Sequence, residues 1–242
     1  MAKLIHLHYS PWSERARWAL DHHGVAVERV EYLPMVGEPW LRWHLGRWRG
    51  RVTVPVLIDG IERFDDSLDI ARWAEARGKG APLFPSGSAQ RIEALVALAE
   101  EISAHGRARA TAAVARHPEA LLESVPPPLN ASATLARVTG VLGVRFLRGK
   151  YSFMDATPAE LELPMRPLLE RVAEALAGRK TLLDDFSFAD IAVASSLQFV
   201  GPVDSPTIRL GPASRQAWTS PELSKRFADL VAWRDELYAN WR

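Results

Sequence analysis

The stretch from Val52 to Ser67, V-T-V-P-V-L-I-D-G-I-E-R-F-D-D-S, constrains the fold of this chain more than any other. Val54, Val56 and Ile58 alternate with their neighbours, the two-residue period of a half-buried strand. Asp59-Gly60 carries the turn chemistry of a two-residue hairpin, and Ile61 to Phe64 supplies the returning strand. Pro55 has no N–H to give a ladder and a fixed φ, so it opens the first strand and turns attention to the backbone amide of Val54. Ser67 is placed to cap a helix over Leu68–Ala76, whose free N–H groups and dipole suit a carboxylate.

The residues before this hairpin predict a strand, loop, helix and strand. Lys3 to His8 is a short apolar-rich run interrupted at Tyr9-Ser10-Pro11, and Ser13 to His22 carries Ala16, Trp18, Ala19 and Leu20 among charged residues. Gly24 ends that helix, with His22 and His23 as a solvated pair suited to its C-terminal dipole, and Val25 to Tyr32 gives the second strand. Between Pro34 and Gly50, Trp40, Trp43 and Trp48 alternate with Arg42, Arg47 and Arg49, broken by Gly37, Pro39 and Gly46; this predicts a short irregular helix whose tryptophans pack on the first domain.

Gly78-Lys79-Gly80-Ala81-Pro82 and Pro85-Ser86-Gly87 mark a linker, giving a first domain over residues 1–77, a linker over 78–88 and an all-helical domain over 89–242. Ala89 to Ala115 has Ile92, Leu95, Leu98 and Ile102 at helical steps, and a further helix is expected from about Ser132 to Arg148 beyond the loop closed by Pro126-Pro127-Pro128. Thr157-Pro158-Ala159-Glu160 opens a helix towards Ala177, with a kink or restart at Pro164. Ser187-Phe188-Ala189-Asp190 is a reciprocal cap ahead of the apolar run Ile191 to Ala194. Residues 201–219 read as an irregular connection, and Ser220-Pro221-Glu222 caps a last helix to Asn240, with Phe227, Leu230, Val231 and Trp233 inside.

A β-α-β opening, a strand begun by Val54-Pro55, a hairpin and the Asp66-Ser67 helix start, together with later helices that include an S-x-A-D box, resemble the glutathione transferase family. The resemblance implies a thioredoxin-like domain (βαβ-α-ββα) ahead of the all-helical one, with the X-Pro bond at Val54-Pro55 cis. It implies that Val54 pairs through its backbone with the cysteinyl part of glutathione and that Asp66 and Ser67 bind its γ-glutamyl end. Arg51, or Arg42, would meet the glycine carboxylate, and Trp12, Ser13 and Pro55 complete the expected glutathione-binding set. Ser10, first in Ser10-Pro11-Trp12-Ser13, stands where serine-type members carry the catalytic hydroxyl, with Tyr9 as the alternative; taken alone, Ser10 and Ser13 would be read as helix caps. Such a hydroxyl donates to the glutathione sulfur, and lowering a thiol pKa near 8.5 by roughly two units corresponds to about 2.7 kcal/mol.

Composition narrows the chemistry further. Thirty basic against 29 acidic residues give a net charge of +1, so no global field draws the chain to nucleic acid or an anionic membrane. The absence of cysteine excludes disulfides, thiolate metal sites and a cysteine nucleophile. Histidine spacing gives no ligand pattern, so no metal is expected. The opening residues lack an apolar signal core, and the expectation is a cytoplasmic protein that does not enter a membrane. The resemblance points to glutathione as cosubstrate, a hydrophobic electrophile held against the helical domain and a homodimer. Its alternatives are another glutathione-dependent reaction, such as peroxide reduction, isomerisation or dehalogenation, or a scaffold that has lost turnover.

Overall fold

The computed structural model describes residues 1–34, 37–125 and 156–242, with residues 138–140, 142 and 145 between them. The N-terminal part is an α/β unit: β1 (Lys3–His6), α1 (Pro11–His22), β2 (Glu28–Glu31), α2 (Glu38–Leu45), β3 (Val56–Asp59), β4 (Glu62–Phe64) and α3 (Ser67–Glu75). The strands form one sheet in the order β2-β1-β3-β4, with β1 parallel to β2 and the β1–β3 and β3–β4 pairs antiparallel. Beyond α3 the described residues build helices: α4 (Ala89–Arg116), α5 (Pro118–Glu123), α6 (Pro158–Glu162), α7 (Met165–Leu176), α8 (Phe188–Ser196) with a 3₁₀ turn at Leu197–Phe199, α9 (Pro212–Trp218), α10 (Pro221–Arg226) and α11 (Ala228–Trp241). The fold is therefore a thioredoxin-like α/β domain joined to a helical domain, as the sequence implies.

Strand alternation sends side chains to two layers. Leu4 and Leu57 face Ala16 and Leu20 of α1 and Ile70, Trp73 and Ala74 of α3, while Ile5 and Val56 face Leu41 of α2 with Tyr32 and Val52. The far side of α1, through Trp18 and Ala19, joins the helical core built on α4, α7 and α8. Every residue of α8 is buried. Its apolar side chains contribute about 1.5–3 kcal/mol apiece for residues the size of Ile191. The Asp190 carboxylate at the head of α8 accepts from the Ser187 N–H and hydroxyl, both at 2.9 Å, and from the Leu182 N–H at 2.7 Å. Burial pushes its pKa up, against the pull of those donors.

Several boundaries differ from the sequence reading, each for a local reason. Strand pairing joins Asp59 to Glu62, so the hairpin turn is Gly60-Ile61 rather than Asp59-Gly60, with Gly60 at φ +58°. Helix α1 starts at Pro11 rather than Ser13, because Ser10 takes the cap and proline fits the first helical position. Asp66 rather than Ser67 caps α3, its carboxylate accepting from the Leu68 N–H at 2.7 Å. The helix opened by the Thr157–Glu160 capping box stops at Leu163, and a new one begins after Pro164, the predicted restart. Ser220 caps only the short α10; the chain breaks at Phe227 before α11, so the last helix is two helices. Residues 212–218 of the expected irregular connection form α9, with Pro212 at its first position. The helix expected from about Ser132 to Arg148, and the Pro126-Pro127-Pro128 loop, lie largely outside the described residues, of which 138–140, 142 and 145 are helical.

Trp40 and Trp43 of α2, and Trp48 after it, do not pack into the core of the first domain. In α2 the buried face is Leu41, with Leu45 one turn on, and this turns Trp40 and Trp43 outward; Trp43 and Trp48 are 67% and 66% exposed. His23 is buried rather than solvated. The linker crosses the end of α1, where the Lys79 N–H donates to the His23 carbonyl at 3.0 Å and a His22 ring nitrogen bonds the Ala81 carbonyl at 2.9 Å. A Cβ at Gly78 or Gly80 would collide with these histidines.

Candidate functional site

Register decides which residues share one end of the sheet. β1 pairs antiparallel with β3 through Ile5 and Val56, so the residues after β1, from Leu7 to Ser10, leave the sheet at the same end at which Val54-Pro55 enters it. β4 runs antiparallel to β3 with Phe64 opposite Leu57, which returns the chain to that end just before Asp66-Ser67. The start of α1, the edge before β3 and the start of α3 therefore converge, and α1 packs along α3. The Val54–Pro55 peptide bond is cis.

At the first of these points Ser10 is 9% exposed and caps α1. Its Oγ accepts from the Ser13 N–H at 3.4 Å, and its carbonyl accepts from the Glu14 N–H at 2.9 Å. A serine hydroxyl accepts with its lone pairs and still has an O–H to donate, so the cap role leaves a donor at the head of a helix dipole. Ser13 is fully buried, and its own hydroxyl accepts from the Leu7 N–H at 3.1 Å, which fixes the turn under Ser10. Tyr9 is half-buried, its ring edge-on to Trp218 at 6.0 Å.

The turn is held from beneath by a buried ionic cluster. Arg17 donates to the carbonyls of Leu7 at 3.1 Å, His8 at 2.9 Å and Thr207 at 3.1 Å, to His6 Nδ1 at 3.1 Å, and to the Glu14 carboxylate. Glu14, with no exposed surface, also accepts from the Thr207 hydroxyl at 3.1 Å and from Arg242 Nε at 2.7 Å. Because an arginine only donates, His6 Nδ1 must accept, which selects the neutral ring protonated on Nε2. Burial first, and the Arg17 charge second, lower the His6 pKa to about 3. Burial likewise lowers that of His8, against the opposing pull of Glu31 3.5 Å away.

At the second and third points, Val54 is half-buried, Pro55 and Ser67 are buried, and Asp66 is exposed at the α3 cap. Arg51 is exposed on the loop leading to Val54. Arg42 is engaged in holding that loop: it pairs with Glu38 at 2.7 Å and donates to the carbonyls of Arg47 at 3.3 Å and Gly50 at 3.0 Å.

The helical domain packs against the residues on either side of Ser10. Trp12 Nε1 donates to Glu100 of α4 at 2.6 Å, and Arg15 pairs with the same carboxylate. The Trp12 ring meets Phe199 edge-on at 6.2 Å, Phe199 stacks on Trp218 at 5.0 Å, and Trp218 meets Tyr9, so an aromatic arc runs from one sequence neighbour of Ser10 to the other. Gly106 of α4 admits Phe199, since a Cβ there would collide with that ring. The sequence reading did not single out Arg107, whose guanidinium lies over the Trp12 ring at 4.8 Å. Its one sequence signal is its place after Gly106, and that acquires meaning only once Phe199 is placed. A separate cavity of about 390 Å³, lined by Arg72, Glu75, Phe84 and Ile92 among others, opens at the far end of α3 and includes none of the predicted site residues. Among the described residues no group of three or more histidines and carboxylates could hold a metal, and no helix is long and apolar enough to cross a membrane.

Comparison with known proteins adds to this geometry. The family model for the glutathione S-transferase N-terminal domain matches residues 9–77. Among solved structures, the beta-etherase LigF from Sphingobium sp. strain SYK-6 is 20% identical with a TM-score of 0.63, over 99% of this chain and 95% of its own. A glutathione S-transferase from Methylobacillus flagellatus KT, crystallised with GSH bound, is 20% identical with a TM-score of 0.59, over 99% of this chain and 95% of its own. One from Methylobacterium radiotolerans JCM 2831, in complex with glutathione sulfonate, is 19% identical with a TM-score of 0.61, over 99% of this chain and 91% of its own. At such identities the likeness is one of fold. No curated protein sequence matches.

Proposed function

We propose, from the premise that residues 9–77 are a glutathione S-transferase N-terminal domain within a chain of glutathione S-transferase fold, that this protein binds glutathione and transfers it to a hydrophobic electrophile. The observation that carries the reading is the convergence of the Ser10 turn, the Val54-Pro55 edge and the Asp66-capped α3 at one end of the sheet. In this reading the Val54 backbone pairs with the cysteinyl part of glutathione beside Pro55. Asp66 and Ser67 meet its γ-glutamyl ammonium and carboxylate, Asp66 by charge and Ser67 with the α3 dipole. Arg51 meets the glycine carboxylate, the bound peptide lies against Trp12 and the turn fixed by Ser13, and the sulfur rests against Ser10.

The Ser10 hydroxyl donates to the sulfur and favours thiolate over thiol, and the α1 dipole acts in the same direction. The bound cosubstrate, and not the protein, is then the nucleophile. Tyr9 is the alternative donor, at the other end of the aromatic arc. Residues 1–77 form the glutathione half of the site and residues 89–242 the electrophile half, in a cytoplasmic homodimer that works in detoxification. Titration with glutathione, then an assay with a generic aryl halide, tests the reading. Saturable binding and turnover that fall together in Asp66→Ala support it, whereas no binding at millimolar glutathione defeats it in favour of a scaffold role.

A further inference from the structure

We infer that the outer face of α2 and the loop after it, led by Trp43 and Trp48, docks this protein on the surface of an anionic lipid bilayer. The inference stands apart from the glutathione-dependent reading. Trp40 and Trp43 sit three residues apart on one face of α2, and Trp48 follows the end of the helix. All three are exposed.

Their placement is built rather than loose. The Arg42 guanidinium donates to the Arg47 and Gly50 carbonyls while it pairs with Glu38, which folds residues 47–50 back against the helix. His44 donates through Nδ1 to the Trp40 carbonyl at 2.9 Å. Its ring lies 4.0 Å from that of Trp40 and 4.7 Å from that of Trp43, and so braces both. Apolar surface held in water in this way marks a contact site.

Charge selects the partner. Four arginines, Arg42, Arg47, Arg49 and Arg63, stand with the tryptophans against two acids, Glu38 on Arg42 and Asp65 on Arg47, a surplus of two positive charges where the whole chain has +1. Arg49 is exposed beside Trp48. Arg63 donates to the carbonyls of His44, Gly60 and Glu62, neutral acceptors that leave its charge in place. Asp59 and Glu62 share the strand face of Leu57 and Phe64, so they turn to the opposite layer, where Arg77 lies 3.7 Å from each. A basic face repels a second copy of itself across a twofold contact. Single-stranded nucleic acid is seated in a groove, whereas these rings stand on the outside of one helix and its loop. An anionic bilayer meets both demands: indoles settle among the headgroups with the ring buried and the N–H wet, and arginines meet the lipid anions. The contact is peripheral, because α2 has only eight residues.

The full chain is titrated with vesicles of phosphatidylcholine alone and with about 30% phosphatidylserine added, read by co-sedimentation and by quenching of tryptophan fluorescence with brominated lipids. Binding to the anionic vesicles is expected to be about tenfold tighter than to the neutral ones and to weaken as salt is added. Trp43→Ser combined with Trp48→Ser should lose about tenfold in affinity and most of the quenching. Arg49→Gln should lose about fivefold, the worth of one basic side chain at such a surface. Should the double variant fold poorly, Arg49→Gln and the wild-type salt series carry the test. No binding to either vesicle, equal binding to both, or binding unmoved by the substitutions overturns the inference. So does an unbound vesicle together with substitutions that abolish binding of an oligothymidylate or change the mass of the protein in solution, which would give the patch to nucleic acid or to a second copy.

Discussion

Replacing Glu14 by Gln would test whether the turn that carries Ser10 is held by charge. Glu14 is fully buried between two arginines that are themselves almost fully buried, Arg17 and Arg242. Removing its charge leaves two guanidinium groups facing a neutral amide, and breaking a buried pair in this way costs about 3–5 kcal/mol. The lower end of that range applies, because Arg17 keeps its bonds to the Leu7, His8 and Thr207 carbonyls and Arg242 keeps Asp21 at 2.8 Å. A loss of about 3 kcal/mol is a large share of the roughly 5–15 kcal/mol by which a protein is folded. Urea unfolding reads it as a fall in midpoint at constant slope. The double variant Glu14→Gln with Arg242→Met should be less destabilised than the sum of the two single variants, since it removes one orphaned charge. A single-variant loss below about 1 kcal/mol, or strict additivity, would refute the claim that this cluster is dry and mutually dependent.

Three other outcomes rest on particular contacts. In Gly106→Ala the new methyl meets Phe199, so we expect about 1–3 kcal/mol of destabilisation by thermal unfolding and a changed tryptophan spectrum as the arc shifts; an unchanged spectrum would contradict the packing. For Asp66, asparagine caps as well as aspartate but lacks its charge, so Asp66→Asn should keep stability within about 0.5 kcal/mol yet weaken glutathione binding several-fold by calorimetry, while Asp66→Ala should lose about 1 kcal/mol as well. For pH, His6 is held neutral by burial and by Arg17, with a pKa of about 3 against 6.5 for the free side chain. The unfolded chain takes up that proton below pH 6.5 and the folded chain does not. Stability is therefore full above 6.5 and falls as pH drops towards 3, at about 1.4 kcal/mol per pH unit, or about 2 kcal/mol between 6.5 and 5. Burial acts in the same direction on His8 and His23, so a urea midpoint unchanged from pH 7 to pH 5 would contradict this reading.

The α/β half was legible in the sequence because its signals are local. Alternation in Val54 to Ile58, proline at a strand start, polar caps before α1 and α3 and glycine after α1 each act within a few residues. The misreadings came where two neighbours could play one part. Asp66 and Ser67 can both cap, and the carboxylate won; Asp59-Gly60 and Gly60-Ile61 can both turn, and strand register chose the second. The outward tryptophans of α2 were misread because apolar residues promise burial only when a neighbour covers them, and it is Leu41 and Leu45 that face the sheet. The Glu14 cluster and Arg107 were out of reach, since their partners lie far along the chain, at Thr207, Arg242 and Trp12.

The central claim, that a serine hydroxyl at the head of α1 holds a glutathione sulfur as thiolate, is tested most directly by the thiol pKa of bound glutathione. Ultraviolet thiolate absorption of the binary complex, titrated with pH, should give a pKa about two units below the free value near 8.5 and return most of the way in Ser10→Ala with glutathione still bound. A bound thiol that titrates like the free one, or a depressed pKa that survives Ser10→Ala and is lost in Tyr9→Phe, would contradict it.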